Sequence, residues 1–278
     1  MFRARGFEFP LGQRTYVMGI LNYTPDSFSD GGLYNTPEAA LEHALLMQEQ
    51  GADIIDIGAN STRPDAVILS AEEEKARIAP ALETLCSRLD VAVSADTFYP
   101  SCAKAALEAG ASIINDVSGV FNPEIAVLCK EYGAGYVVMH NPCGSAKVAE
   151  YPHGVVNGVR GFFLDALNLA AQSGLDKSQL CLDMGIGFGK KYEDNLELLR
   201  ETQWLKFKGV ALLAAASRKR FIGAASGVED SAKRDAGTVA AHTAAIAGGA
   251  DIIRAHNVFA AVQGARVADA LYRGKTNG

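Results

Sequence analysis

The chain lacks any apolar run near the ~18 residues that a membrane-spanning helix needs, so a helical membrane protein is excluded. Its first ten residues, Met1 to Pro10, hold Arg3, Arg5 and Glu8 and have no apolar core segment, so no signal peptide is expected. An excess of positive charge is missing as well: 26 Lys and Arg face 32 Asp and Glu, for a net charge of −6. A nucleic-acid partner, which would want a basic stripe, is not expected. Cysteines are few and scattered, at 86, 102, 129, 143 and 181, with no C-x-x-C pair. That excludes a disulfide frame and a zinc ribbon and fits reduced thiols in a cytoplasm. The five histidines form no H-x-x-x-H pattern. A dinucleotide fingerprint and a Walker loop are both absent: Gly185-Ile-Gly-Phe-Gly-Lys190 has Lys where the first needs Gly. It also has Met184 and Lys191 where the second needs Gly and Ser or Thr. No linker divides the chain, so residues 1–278 are read as one domain.

What is present is a repeated unit. Hydrophobic residues make up 49% of the chain, enough for a sizeable core. Short apolar runs end at Asn22, Gly58, Asp96, Asp116, His140, Asp183, Ala216 and His256. Each reads as a buried parallel strand. Helical patterns lie between them. Thr36-Pro37-Glu38 opens one with Thr as N-cap and Pro at the first position. Ser70-Ala-Glu-Glu73 is a capping box before another. Further helices are expected over 100–109, 124–132, 155–173, 194–207, 235–247 and 258–272. Joints of the form Gly-Ala-Asp/Ser recur at 51–53, 110–112 and 249–251. Eight strand–helix units in strict alternation predict a (β/α)₈ TIM barrel, favoured over an open doubly wound sheet. Phe2, Phe7 and Phe9 ahead of the first strand suggest a short N-terminal hairpin or plug.

Barrel enzymes place their sites at the C-terminal ends of the strands. Those ends here carry Asn22; Thr62 and Arg63; Asp96; Asn115; Met139 and His140; Asp183; Ser217, Arg218 and Lys219; and Arg254 and His256. A single polar residue at such a place is a turn or a cap. Polar residues at every strand end are not needed for barrel stability, and a site needs them. The ends of the last two strands offer Ser217, Arg218, Lys219, Arg220, Arg254 and His256, suited to a phosphorylated or pyrophosphorylated substrate. Asp96, Asn115 and Asp183 suit a donor-rich heterocycle such as an aminopyrimidinone. The glycine loop 185–189 lets backbone approach a flat ligand, with Phe188 or Lys190 near it. Asn22 is a hard-oxygen ligand of the kind Mg²⁺ takes when it bridges to phosphates.

Several of these stretches also follow a known pattern. Met18-Gly-Ile-Leu-Asn-Tyr-Thr-Pro-Asp-Ser-Phe-Ser-Asp-Gly-Gly32 resembles the first signature of dihydropteroate synthases, the folate-pathway enzymes that sulfonamides inhibit. Asp56-Ile-Gly-Ala-Asn-Ser-Thr-Arg-Pro64 resembles the second. Asp96-Thr97, Ile114-Asn-Asp-Val-Ser-Gly119, Asp183 with Gly185 to Lys190, Ser217-Arg-Lys219 and Arg254-x-His256 continue the likeness in order. Departures are Tyr23, Ala59-Asn60, Asp65, Met184, Ala215, Ala255 and Asn257.

The resemblance implies condensation of 6-hydroxymethyl-7,8-dihydropterin pyrophosphate with p-aminobenzoate to 7,8-dihydropteroate and pyrophosphate, with Mg²⁺, in a homodimer. It implies that Asp96, Asn115, Asp183 and Lys219 hold the pterin, with Met139 and Phe188 lining its pocket. By the same likeness Asn22 contacts the metal, and Arg63, Arg254 and His256 bind pyrophosphate. Thr62, Ser217 and Lys219 lie towards p-aminobenzoate, with Phe28 and Pro64 closing over it. Asp96, Asp183, Lys219, Arg254 and His256 are the expected catalytic residues. Two rivals remain: a pterin-binding methyltransferase barrel, which would not need Ser217-Arg-Lys219, and a pterin-binding barrel without activity.

Overall fold

The computed structural model describes residues 1–24, 36–60, 68–143 and 147–274. Two short antiparallel strands open the chain, β1 (Phe2–Ala4) and β2 (Phe7–Phe9). Eight parallel strands then close into a barrel: β3 (Tyr16–Asn22), β4 (Ile54–Gly58), β5 (Ala92–Asp96), β6 (Ile113–Asp116), β7 (Gly135–Met139), β8 (Leu180–Asp183), β9 (Ala211–Ala214) and β10 (Ile252–Ala255). β10 pairs with β3, so the described sheet has no open edge between its first and last barrel strands. The expected (β/α)₈ barrel is the observed fold.

The surrounding helices are α1 (Pro37–Glu49), α2 (Ala71–Arg88), α3 (Pro100–Ala109), α4 (Pro123–Tyr132), α5 (Val155–Gln172), α6 (Tyr192–Arg200), α7 (Arg220–Ser226), α8 (Asp235–Ala247) and α9 (Val258–Tyr272). The expected caps are present. Thr36 accepts the Ala39 N–H at 3.2 Å, and Ser70 and Glu73 form a reciprocal capping box. Two expectations need correction. The helix expected over 194–207 is α6 followed by a separate 3₁₀ turn, Thr202–Leu205. The buried Thr202 hydroxyl bonds the Leu198 and Leu199 carbonyls and ends the regular turn. The seventh unit carries an extra helix, α7, where a loop was read. Its seven residues are too few for periodicity to show, and burial of Phe221 and Ile222 holds it in place.

Side chains alternate inward and outward along each strand. Tyr16, Met18, Ile54, Ala92, Ile113, Val137, Cys181, Leu213 and Ile252 fill the barrel interior in one apolar cluster. Outward neighbours such as Val17, Ile55, Val93, Ile114, Val138, Leu182 and Ile253 join the helices in a second. The hairpin closes the N-terminal mouth, so it is both a hairpin and a plug. Phe2 and Phe9 stack at 5.8 Å between ring centroids, and Phe9 meets Tyr16 edge-on at 5.0 Å. Gly135 makes room for it: a Cβ there would stand 2.6 Å from the Phe2 ring.

Candidate active site

The inward parity of the core continues upward. Two residues beyond Met18-Ile20 comes Asn22; beyond Ile54, Asp56; beyond Ala92, Ser94 and then Asp96; beyond Ile113, Asn115; beyond Val137, Met139; beyond Cys181, Asp183; beyond Ile252, Arg254. Register sets the cross-strand neighbours: Gly58 pairs with Asp96, Asp96 with Asn115, and Met139 with Asp183. Period-two geometry therefore gathers these polar groups into one layer above the apolar one.

Asp56 is the hub, and sequence reasoning missed it as a site residue. It is fully buried. Its Oδ1 accepts from the Ser94 hydroxyl at 2.6 Å, and its Oδ2 from Asn115 Nδ2 at 3.0 Å and Arg254 Nε at 2.7 Å. Arg254 Nη2 also reaches Asp96 Oδ2 at 2.9 Å. The guanidinium thus bridges two carboxylates, its own pKa raised: burial opposes the charge, and Asp56 and Asp96 outweigh it. Burial, then the charge of Asp56, pushes the Asp96 carboxyl upward against the pull of Arg254. The one signal for Asp56 was an acid inside the run Ile54-Ile-Asp-Ile57, where a strand buried on both faces wants none. The separation drawn from sequence, cations on one side and acids on the other, does not hold for Arg254.

Asp183 is 3% exposed, and burial raises its pKa against the pull of Lys219. Its Oδ1 accepts the Gly185 N–H at 2.8 Å. Lys219 bonds the Ile186 carbonyl and lies over the Phe188 ring, 4.4 Å from its centroid. Burial pulls the Lys219 amine down to about 8, with Asp183 opposing. Met139, paired with Asp183 across the strands, is buried. Asn115 donates to Asp56, but its Oδ1 is buried with no partner among the described residues. A buried acceptor left so costs about 1–3 kcal/mol, and a ligand N–H would remove that cost.

The Ser217-Arg-Lys-Arg220 run is dispersed. Ser217 Oγ stands 2.9 Å from His256 Nδ1 and accepts the His256 backbone N–H at 3.1 Å. The hydroxyl thus ties the His256 ring to its own backbone. Burial, then Arg218 and Arg254, pushes His256 down to about 3, so the ring is neutral. Arg218 has a left-handed backbone, φ 57°, and makes a forked pair with Asp235 at 2.7 and 3.0 Å. Arg220 is exposed at the start of α7. Asn22, His256, Arg218, Asn257 and His43 share a cleft of about 250 Å³ beside the rim, between α1 and the start of α9. Asn257 accepts from Ala260 N–H as the α9 cap and donates to Asp235.

Two strand-end residues turn away from the barrel. His140 packs on Phe162, with ring centroids 5.3 Å apart, and Asp116 accepts from the Tyr136 hydroxyl at 2.8 Å on the outward side. Phe28, Thr62, Arg63 and Pro64 lie outside the described residues. The described residues contain no cluster of three His, Cys, Asp or Glu able to hold a metal ion.

A polar layer of this composition, with one orphan acceptor, takes a donor-rich ligand on one flank and an anion on the other. Residues 18–256 match the family described as Pterin binding enzyme. The dihydropteroate synthase of Synechocystis sp. is 45% identical over 269 residues, 95% of this chain and 93% of that one. The solved structure of the Xanthomonas albilineans dihydropteroate synthase with 4-aminobenzoic acid is similar at a TM-score of 0.88, with 41% identity over 97% of each chain. That of the Thermus thermophilus enzyme in complex with 6HMPPP is similar at 0.84, with 39% identity over 98% of this chain and 99% of that one. The chain belongs to the dihydropteroate synthase family of pterin-binding enzymes.

Proposed function

We propose that this chain is a transferase of folate biosynthesis, condensing 6-hydroxymethyl-7,8-dihydropterin pyrophosphate with p-aminobenzoate to give 7,8-dihydropteroate and pyrophosphate. The observation that carries the reading is the orphan Asn115 Oδ1 beside Asp96 and Asp183, a set of acceptors matched to the N–H groups of an aminopyrimidinone. Asp183 keeps one oxygen on Gly185 N–H and presents the other. Phe188 with Lys219 above it makes a flat wall for the ring.

Pyrophosphate leaves first and the pterin methylene becomes a cation. Asp96 and Asp183 stabilise it electrostatically. Arg254 and Lys219 carry the positive charge that the departing anion meets, beside the neutral His256. The weakly basic aniline then attacks the methylene and needs no strong general base. Asn22 lines the cleft, and its amide oxygen is a hard ligand that would suit a Mg²⁺ bound there with a diphosphate. When bound there, Mg²⁺ adds positive charge against the leaving group. The five cysteines are all free thiols, in keeping with a cytoplasmic setting.

A homodimer through α8 and α9 accompanies this reading. α9 exposes Phe259, Val267, Leu271 and Tyr272, and α8 exposes Ala236, Ala240, Ala244 and Ala247 beside it. Sedimentation is expected to give twice the chain mass, and a monomer at micromolar concentration sinks that part.

The test is pyrophosphate release with each of the pterin substrate, p-aminobenzoate and Mg²⁺ omitted in turn. Turnover to dihydropteroate that needs all three supports the function. Tight pterin binding with no release returns the weight to a binding barrel.

A further inference from the structure

The loop after β8 holds a second lysine with a different office. Lys190 is 7% exposed. Its ammonium donates to the carbonyls of Gly185 at 2.8 Å, Phe188 at 3.0 Å and His140 at 3.2 Å, and stands 3.0 Å from His140 Nδ1. His140 follows β7 and the other two carbonyls belong to the loop, so one cation ties two barrel segments together. Four acceptors surround three protons, and the arrangement needs His140 as a neutral acceptor. Burial, then Lys190 itself, pushes that ring down to about 3.

The neighbouring contacts show what the tie holds. Gly185 (φ 62°) lies so close to His140 that a Cβ would stand 1.9 Å from its carbonyl oxygen. Gly187 N–H donates to Asn195 Oδ1 at 2.6 Å, and Phe188 N–H to the Gly185 carbonyl at 3.1 Å. Lys219 holds the Ile186 carbonyl from the barrel side. Carbonyls 185, 186 and 188 thus all end on an ammonium, from two opposite faces. Buried ammonium groups are costly unless fully bonded, and this one is. Burial still draws Lys190 down to about 7, Asp183 pulling the other way.

We propose that Lys190 is a positioning residue for the pterin substrate: it locks the Gly185–Gly189 loop to the end of β7 so that Phe188 and the Asp183-bound Gly185 are set before the heterocycle arrives. This rests on the pterin reading above. Lys190 itself is engaged with backbone carbonyls and His140, while Phe188, the other residue the sequence sets near a flat ligand, lies under Lys219.

The experiment measures the pterin-substrate dissociation constant by calorimetry, and both KM values, in the wild type, Lys190→Met, Lys190→Gln and the control Lys191→Met. Lys191 is exposed, and its ammonium pairs with Glu150 at 3.0 Å, away from the loop carbonyls. Lys190→Met is expected to weaken pterin binding about tenfold or more, as loss of one or two charge-assisted bonds implies. Lys190→Gln, which keeps two donors, falls between it and the wild type. The KM for p-aminobenzoate stays within about twofold, because one hydrogen-bonded wall is altered and the other flank is not. Pterin affinity unchanged in Lys190→Met, or equal losses for both substrates, overturns the proposal. Hydrogen exchange decides if neither variant folds: in the unliganded wild type the Gly187 and Phe188 amides are expected to exchange slowly, and exchange at the free-peptide rate overturns it. A wild type that binds no pterin at all refutes the functional reading instead.

Discussion

The lower and upper halves of the barrel use the same strands and the same inward-facing positions, yet they are held by opposite means. Below, Tyr16, Met18, Ile54, Ile113 and Leu213 pack with Phe2 and Phe9 in an apolar cluster. Above, two to four residues later on several of these strands, Asp56, Asp96, Asn115 and Arg254 form a polar layer tied by hydrogen bonds and ion pairs, with Asp183 held by the Gly185 N–H. Apolar burial stabilises by about 25 cal/mol per Å² of surface and needs no partner. A buried charge network offsets its own desolvation at best and collapses when one member goes. The lower half therefore carries stability, and the upper half holds chemistry in place at little net gain.

The comparison can be broken most forcefully at Asp56, the upper residue whose loss should behave like a core loss. Asp56→Ala leaves Arg254 without its main carboxylate, so a stability loss of about 3–5 kcal/mol is expected together with loss of activity. Unchanged unfolding in urea would show the network to be dispensable. Phe2→Ala is the mirror case: about 3–5 kcal/mol of stability is lost from the plug, with both KM values unmoved. A changed KM would mean the two halves are coupled. Asp183→Asn sharpens the upper half alone, with turnover down about 10²–10³-fold and Tm within a few degrees. Wild-type-like turnover removes its role.

Lys219 gives a smaller, titratable effect. Burial holds its amine near 8, so kcat/KM for the pterin substrate should decline above pH about 8, tenfold per unit, as the cation is lost. Lys219→Met should flatten that limb as well as lower the plateau; a wild-type profile level to pH 10 removes the requirement for the cation. Asn257→Ala should cost least, about 1 kcal/mol for the lost α9 cap, with pyrophosphate-side kinetics changed about twofold. A tenfold change would place Asn257 in contact with substrate.

The lower half was the more legible in sequence. Apolar runs, glycine stops and Thr36 or Ser70 caps are local signals, and they gave the strands, most of the helices and the barrel. The upper half was legible as a set of strand-end residues but not as a network. Arg254 meets Asp56 across 198 positions, and nothing local tells which cation will bridge which acid. Its sequence neighbour His256 suggested an anion site, so the carboxylate pairing was missed. Lys190 shows a related limit: a lysine after glycines suggests a place near a ligand, while its acceptors are carbonyls that a sequence does not display. The short α7 fell below the length at which helical period can be read.

The plug also orders events in time. Phe2 and Ala4 settle against Gly135, more than a hundred residues further along the chain. The hairpin precedes β7 in the chain but has no seat until β7 exists, and contacts of such separation form late because a long loop must close before they contribute. Sealing the barrel floor is therefore a closing act of folding, performed by a segment that precedes every barrel strand. Until then, Phe2 and Phe9 lack the surface that buries them and form an exposed sticky segment.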